Sequence, residues 1–427
     1  MRVLALSTPI YAHTLNAVPF LEGLAARGAE VHWGVAAPWA ATEAGGARVW
    51  DTGPVLGYSS RGGRLRDVAS RYDWLVADAA VRVRAVRRVV EQVRPDVVLT
   101  DSLGYAAALV SEQLGLPWVT FGDGPLHFPD SLTPPFGAGL PYRTPRPWVW
   151  RNTVVQAASR RGVMRSAQRR YSALRAALGL PASEVPVLEA CLSPLLHLHC
   201  GAPELEYPRS SLPGHVHFVG ALRPPVPAGW EPPSWWPLVV GAHEGEVVLV
   251  TQGTLRGDPD EVLRPMLRAV RAAGRPAVVT SGAADPADLG GPGLVDGGAG
   301  GRGVAAVESF VPYERVLPHA GVFVTNGGWT GVLLALAHGV PVLQVGRTEE
   351  KADIGRRVEW AGAGVHVGAT RPDARLLLRG LERAEGRACR EGARRVARSL
   401  AARDPGRDGA DLILGLGGGL RSPVGGS

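Results

Sequence analysis

Short apolar runs rich in β-branched residues alternate with longer amphipathic stretches through most of the chain. The first run, Arg2 to Ser7, has the continuous apolar character of a strand covered on both faces. A loop from Thr8 to Thr14 follows, then a predicted helix from Leu15 to Arg27 that ends at Gly28, then a strand from Glu30 to Ala36. Strand, helix and strand in that order predict a right-handed βαβ unit. Arg64 to Val93 reads as mostly helical, Asp96 to Thr100 as a strand, Asp101 to Leu114 as a loop and helix, and Pro117 to Phe121 as another strand. After a Pro-rich stretch the pattern restarts with a strand at Val247 to Thr251, a helix at Pro265 to Ala273, and strands at Ala277 to Thr280 and Val304 to Phe310. This predicts an α/β protein with two doubly wound parallel sheets.

The predicted division is an N-terminal domain over 1–221, a stiff Pro-rich linker over 222–237, a C-terminal domain over 238–402 and a flexible Gly-rich tail over 403–427. A last helix near 387–402 is expected to cross back to the first domain. From 122 to 147 the chain is rich in Pro and Gly, with Phe128, Phe136 and Tyr142 interspersed, and Trp148 and Trp150 open the Arg-rich helix that follows. Two readings stand for the 122–150 stretch: aromatics packing the helix onto its domain, or the lining of an apolar acceptor cleft.

One stretch organises the second half. Phe310 to Val345 reads as a chain reversal, a buried strand at Gly321 to Thr325, a turn at Asn326-Gly327-Gly328, a helix from Trp329 to His338 stopped by Gly339, and a second buried strand. Backbone N–H groups at such a helix start lack internal partners, and the helix dipole adds positive charge. Two glycines clear the approach for a phosphate, although an ordinary strand–helix turn also fits.

Composition narrows the partners. The net charge is +7, carried almost entirely by Arg, because Lys351 is the only lysine. Without a basic run interleaved with aromatics, no nucleic-acid partner is expected. Cys191, Cys200 and Cys389 form no disulfide framework, which fits a reducing compartment. The apolar run after Arg2 is too short for a secretory leader, and no stretch is apolar over the roughly 18 residues that a spanning helix needs. The expectation is a cytoplasmic protein without stable membrane insertion.

Two residues at predicted strand ends can carry acid–base chemistry. His13 lies in the first strand–helix loop, where imidazole can accept a hydroxyl proton; a structural or surface histidine is the competing reading. Asp101 closes the next strand at the same edge. It can orient His13 or simply cap the helix that begins near Leu103. Three metal-like or nucleotide-like patterns carry less. Asp258-Pro259-Asp260 fits an acidic helix start. The Gly298 to Gly303 run precedes a strand and does not open a helix. His197-Leu198-His199-Cys200 lacks a second ligand cluster. No metal is expected.

Val311-Pro312, Val316-Leu317, Asn326-Gly327-Gly328-Trp329 and Ala335-Leu336 through Gly339-Val340-Pro341, followed by Glu350-Lys351, resemble the donor signature of family 1 glycosyltransferases, especially bacterial natural-product and macrolide enzymes. The N-terminal half resembles the family too. The resemblance implies the GT-B fold, two Rossmann-like domains facing across a cleft. It implies an inverting transfer from a nucleotide-diphosphate sugar, UDP- or dTDP-linked, to a hydroxyl of a small apolar acceptor, with no metal or other cofactor. His13 would be the base and Asp101 its orienter. Donor contacts would come from Thr251, Gly253, Thr254, Phe310, Val311, Asn326, Gly327, Gly328, Trp329, Thr330, Gly331, Glu350 and Lys351. The chain departs from the family pattern at Asn326 (usually His), Gly331 (Ser), Leu334 (a ribose-binding Glu) and Glu350-Lys351 (Asp-Gln). Two alternatives follow: a nucleotide-sugar epimerase or hydrolase on the same fold, or a non-catalytic partner protein that retains the fold.

Overall fold

The computed structural model describes every residue except 40–43, 58–63, 228, 254–256, 297–302, 349 and 421–427. The first half supplies β1 (Arg2–Leu6), α1 (Tyr11–Leu15), α2 (Val18–Ala25), β2 (Glu30–Val35), β3 (Arg48–Asp51), α3 (Arg64–Val93), β4 (Val97–Asp101), α4 (Tyr105–Leu114), β5 (Trp118–Gly122), α5 (Arg146–Ala158), α6 (Arg165–Ala177), β6 (His197–Cys200) and β7 (Val216–Gly220). The second half supplies β8 (Val247–Thr251), α7 (Leu263–Ala272), β9 (Ala277–Thr280), β10 (Gly293–Asp296), β11 (Ala305–Glu308), α8 (Tyr313–Val316), β12 (Ala320–Thr325), α9 (Trp329–Ala337), β13 (Val342–Val345), α10 (Lys351–Trp360), β14 (Gly364–Val367), α11 (Ala374–Ala384), α12 (Arg387–Ala401) and α13 (Pro405–Leu420).

These strands form two seven-stranded sheets, ordered β3-β2-β1-β4-β5-β6-β7 and β10-β11-β9-β8-β12-β13-β14. Pairing is parallel except that β10 runs antiparallel on β11. The central strands are buried end to end, as their unbroken apolar sequences require when helices cover both faces. The main reversal of strand order lies between β1 and β4 in the first sheet and between β8 and β12 in the second, whose β11 also slots between β9 and the edge strand β10. Chains leave a reversal point toward opposite faces and open a crevice at the carboxyl ends of the two strands.

The helix expected at Leu15 to Arg27 is two helices. α1 takes in His13, and the chain turns at Asn16 and Ala17 before α2, where Pro19 sits in the first turn and is tolerated because that N–H has no helical partner. His13 therefore sits in a helix, not in a loop. The Pro-rich 222–237 stretch is not a free spacer. The Trp235 indole is buried and donates to Glu308 Oε1 at 2.7 Å, and Trp236 packs against Trp235 and Trp230.

The expected flexible tail is a further correction. Residues Pro405–Leu420 are the helix α13, which lies against α2 of the first half and buries Ala410 and Ile413. Its Gly residues suggested flexibility in the sequence. In the fold they permit close approach: a Cβ on Gly23 of α2 would stand 2.0 Å from the Gly406 carbonyl oxygen, and one on Gly409 would stand 2.6 Å from Phe20. It is α13, beyond the helix near 387–402, that packs on the first half most extensively; α12 packs mainly on α9. Gly23→Ala is expected to force α2 and α13 apart, costing about 1–3 kcal/mol. Denaturant unfolding would show the loss, and proteolysis would begin in residues 405–420. Unchanged stability and protection would refute this packing.

Candidate active site

The carboxyl ends of β1, β4 and β5 bring three ionisable side chains together. His13 Nδ1 lies 2.8 Å from Asp123 Oδ2 and 3.3 Å from Asp101 Oδ1. Neither oxygen lies on the line of the ring N–H, so the contact is an ion pair shared between two acceptors. Asp101 is fully buried. It accepts from Thr8 N at 2.8 Å, Thr8 Oγ1 at 2.9 Å and Leu103 N at 3.0 Å. The expected helix cap is absent: α4 begins at Tyr105 after Gly104, and Asp101 closes a turn ahead of it. Burial opposes charge on both partners, yet the ion pair prevails. It holds the His13 ring up at about 10, above its ordinary 6.5, through Asp123 and Asp101, and it keeps the Asp101 carboxyl below its ordinary range, with help from the backbone donors.

Asp123 was missed in the sequence. It follows Gly122, the last residue of a buried strand, as Asp101 ends β4, so the same strand-end reasoning applied to Trp118–Gly122 would have found it. These three residues are also the one trio of metal-type ligands within mutual reach among the described residues; neither the Asp258–Asp260 pattern nor the His197–Cys200 pattern forms one. Both Asp101 oxygens already accept protein donors, so the trio suits a proton better than a cation.

At the facing edge, the loops after β8 and β12 are stitched to each other. The Asn326 amide donates to the Gln252 carbonyl, and Asn326's own carbonyl accepts from Gln344 Nε2 at 2.9 Å. Thr251 Oγ1 accepts from Tyr313 Oη at 2.7 Å and from Gly253 N at 3.2 Å. Thr254 lies outside the described residues. Gly327 has φ +101°, and a Cβ there would meet Gln344, so this turn requires glycine. Gly328 has an ordinary φ of −66° and open space where a Cβ would go. It precedes α9, whose first N–H groups, at Trp329, Thr330 and Gly331, have no helical acceptor.

The other expected donor residues divide. Phe310 is half exposed after β11, whereas Val311 beside it is buried. The Trp329 side chain is not available to a ligand: it is buried, and its indole donates to Cys200 O across the cleft at 2.7 Å, leaving only its backbone facing the helix start. Gly331 packs against the Phe323 ring, which would stand 3.2 Å from a Cβ there, with Tyr313 in ordinary contact at 3.5 Å. Leu334 is buried in α9, so no polar group enters the cleft from that position. Glu350 is paired with Arg71 of α3 at 2.8 Å, and the charges of Arg71 and Lys351 hold its carboxyl below the ordinary range despite burial. Lys351 is itself buried at the start of α10.

The same helix α10 clamps the Pro- and Gly-rich stretch after β5. Asp353 accepts from Gly137 N, and from Gly139 N at 2.7 Å. Arg357 Nε binds Glu206 Oε2 at 2.9 Å, its Nη2 binds Leu126 O at 3.2 Å, and its guanidinium lies over the Tyr207 ring. Glu206 Oε1 also accepts from Leu126 N at 2.9 Å. Of the aromatics read as acceptor lining, Phe128 packs on His197 and His215, and Tyr142 stacks on Tyr207 beside Trp360. Phe136 lines a small cavity with Leu126, His127, Thr133, Pro135 and Leu188, and Trp150 is exposed. Finally, the two edges touch at the reversal points: Asn16 Nδ2 lies 3.0 Å from Thr330 Oγ1. Among the described residues no helix is long and apolar enough to cross a membrane.

Residues 149–383 match the family model described as UDP-glucoronosyl and UDP-glucosyl transferase. The chain is 34% identical to 4'-demethylrebeccamycin synthase of Lentzea aerocolonigenes, over 97% of this chain and 99% of that protein. The glycosyltransferase SnogD from Streptomyces nogalater has a similar structure, with a TM-score of 0.66 at 23% identity over 97% of this chain and 99% of that one. So does the Streptomyces sp. SF2575 glycosyltransferase SsfS6 complexed with thymidine diphosphate, with a TM-score of 0.65 at 19% identity over 97% and 99%.

The clamp generates a stability prediction. Burial alone would raise the Glu206 carboxyl, but Arg357, His199 and Arg209 bring it down to about 2 from 4.5. A depressed folded-state value stabilises the fold above the unfolded value; that contribution is expected to fade as pH falls from about 4.5 through about 2. Arg357→Met should destabilise by about 3–5 kcal/mol because it strands a buried carboxylate, and adding Glu206→Gln should recover much of that loss. Urea unfolding of the single and double variants at neutral and acid pH tests both statements; a double variant no more stable than the single would refute the pairing.

Proposed function

The chain belongs to the UDP-glucuronosyl and UDP-glucosyl transferase family, has the GT-B fold and is a glycosyltransferase drawing on a nucleotide sugar; from that premise we propose that it is an inverting enzyme whose base is His13. The observation that carries this reading is the His13 ring wedged between Asp123 and Asp101, at an edge that meets the start of α9 through Asn16 and Thr330. With Nδ1 turned to the two carboxylates, Nε2 is the nitrogen left for an acceptor hydroxyl. The acceptor oxygen loses its proton to Nε2 and attacks the anomeric carbon, and the nucleotide diphosphate leaves from the opposite face, so the anomeric configuration inverts. The two carboxylates stabilise the imidazolium formed.

The free N–H groups at the start of α9, the dipole of that helix and the Thr251–Gly253 loop meet the charge growing on the leaving diphosphate. This gives the phosphates a binding site without a metal. Half-exposed Phe310 offers a stacking face for the base, and the buried Val311 beside it offers backbone for base pairing. Glu350, held by Arg71, is kept ionised for sugar hydroxyls at the cleft. The acceptor, a small apolar molecule, lies in the first half, against the stretch from Asp123 to Trp150. The departures at Asn326 and Gly331 are accommodated within the donor site: the Asn326 amide donates to the Gln252 carbonyl, and the Phe323 ring leaves little room for a side chain at Gly331.

UDP- and dTDP-sugars incubated with and without a panel of hydroxylated apolar acceptors, with chelator present throughout, separate transfer from donor hydrolysis. His13→Ala is expected to lower transfer by roughly two to four orders of magnitude with nucleotide binding kept. Because a base acts only when neutral and the His13 value is held at about 10, kcat/KM should climb with pH and level off near that value. A near-normal His13→Ala enzyme, or a profile flat between about pH 7 and pH 9, would overturn the assignment.

Gly328→Val should fold normally, given its ordinary backbone and the open space, yet cover the N–H groups at the α9 start. Calorimetric titration with UDP and dTDP should show at least a roughly tenfold weaker Kd. Unchanged affinity in the folded variant would place the phosphates elsewhere.

A further inference from the structure

We propose that Asp123 is a second positioning residue for His13, and that Asn16 and Thr330 extend its support across the cleft to the helix at the nucleotide-sugar site, so that the base is aligned from both halves of the molecule. This rests on His13 being the base.

Asp101 and Asp123 are not equivalent. Asp101 is tied into the first sheet by three donors from Thr8 and Leu103 and keeps its place whatever His13 does. Asp123 stands closer to the ring, at 2.8 Å against 3.3 Å. Its hydrogen-bond donor is the Asn16 amide, Nδ2 to Oδ2 at 3.1 Å, with the ring as its ion-pair partner, and its other oxygen is buried without a partner among the described residues. A buried carboxylate so sparsely held takes its direction from the groups it does meet. Those are His13 and Asn16.

Asn16 in turn is almost fully buried, at the bend between α1 and α2. A carboxylate only accepts, so the Asn16 amide nitrogen must face Asp123. The same nitrogen lies 3.0 Å from Thr330 Oγ1, and Asn16 Oδ1 accepts from that hydroxyl at 3.3 Å. Thr330 is the second residue of α9, in the turn whose N–H groups face the diphosphate site. A displacement of that turn, by ligand or by motion of one sheet against the other, therefore reaches the ring through three side chains, with no backbone rearrangement required. The charges facing the ring are the two carboxylates, from β4 and from the residue after β5.

The test reads the His13 imidazole directly by NMR in the full chain with labelled histidine, the signal being assigned from its absence in His13→Gln. UDP and dTDP are the probes. In Asp123→Asn the ring should titrate about one unit or more lower than in the unmodified protein. In Asn16→Ala both carboxylates remain, so the ring should still titrate high, but the change in its signal on adding nucleotide should disappear while calorimetry still records binding. An unmoved His13 titration in Asp123→Asn would overturn the positioning role. A nucleotide response that survives in Asn16→Ala would overturn the link across the cleft. Neither readout needs turnover, so a failure here is distinct from failure of the base assignment, which His13→Ala tests alone.

Discussion

The contact on which the arrangement depends is the buried pairing of Arg357 with Glu206. A carboxylate removed from water must find a cation or lose its charge. Glu206 belongs to the first half and its cation to the second, so satisfying the charge fixes one half against the other. Arg357 and Glu206 also bind the carbonyl and N–H of Leu126, three residues past Asp123, and Asp353 on the same helix binds the stretch at Gly137 and Gly139. The second half thus shapes the segment that begins with the carboxylate nearest His13. The seam and the surroundings of His13 are parts of one construction.

That construction explains why chemistry gathers where it does. The main reversal of strand order lies between β1 and β4 in one sheet and between β8 and β12 in the other, and the segments beside it carry the unusual residues: His13 in α1 and Asp101 at the end of β4 on one side, Thr251 to Gly253 and Asn326 to Gly331 on the other. Packing the two reversal points together places the His13, Asp101 and Asp123 cluster opposite a helix start with unsatisfied N–H groups. Transfer of a sugar from a nucleotide needs these two elements: a base for the incoming oxygen and fixed positive polarity for the departing diphosphate. The α2–α13 contact, with glycines at the crossing, returns the end of the chain to the first half and closes the molecule from behind.

Several features were legible from the residues because their causes are local. The RVLALS, VVLTD and VVLVT runs can hardly be other than buried strands, since their apolar character has no second face for water. Asn326-Gly327-Gly328 before an apolar helix announces a turn, and Gly327 does take a positive φ. Asp101 was found because a strand end is a positional signal. Asp123 shares that signal but was hidden by the Gly- and Pro-rich composition that follows it. Gly also misled at the other end of the chain, where residues that suggested a loose tail permit tight helix packing instead.

The sequence by itself determined the alternation of strand and helix, the existence of two sheets, and the turn chemistry at Asn326-Gly327-Gly328. Those depend on hydrophobic period and on backbone freedom, which neighbouring residues set. The tertiary structure alone decided which charges meet. Asn16 finds Thr330 across 314 residues and Glu206 finds Arg357 across 151, and no local pattern encodes either choice. It also decided that Trp329 turns its indole to Cys200, that Glu350 is held by Arg71, and that His13 sits between two carboxylates. The physical reason is the same in each case. The need of a buried polar group for a partner is written in its own residue, but the partner is whatever the folded topology brings within reach.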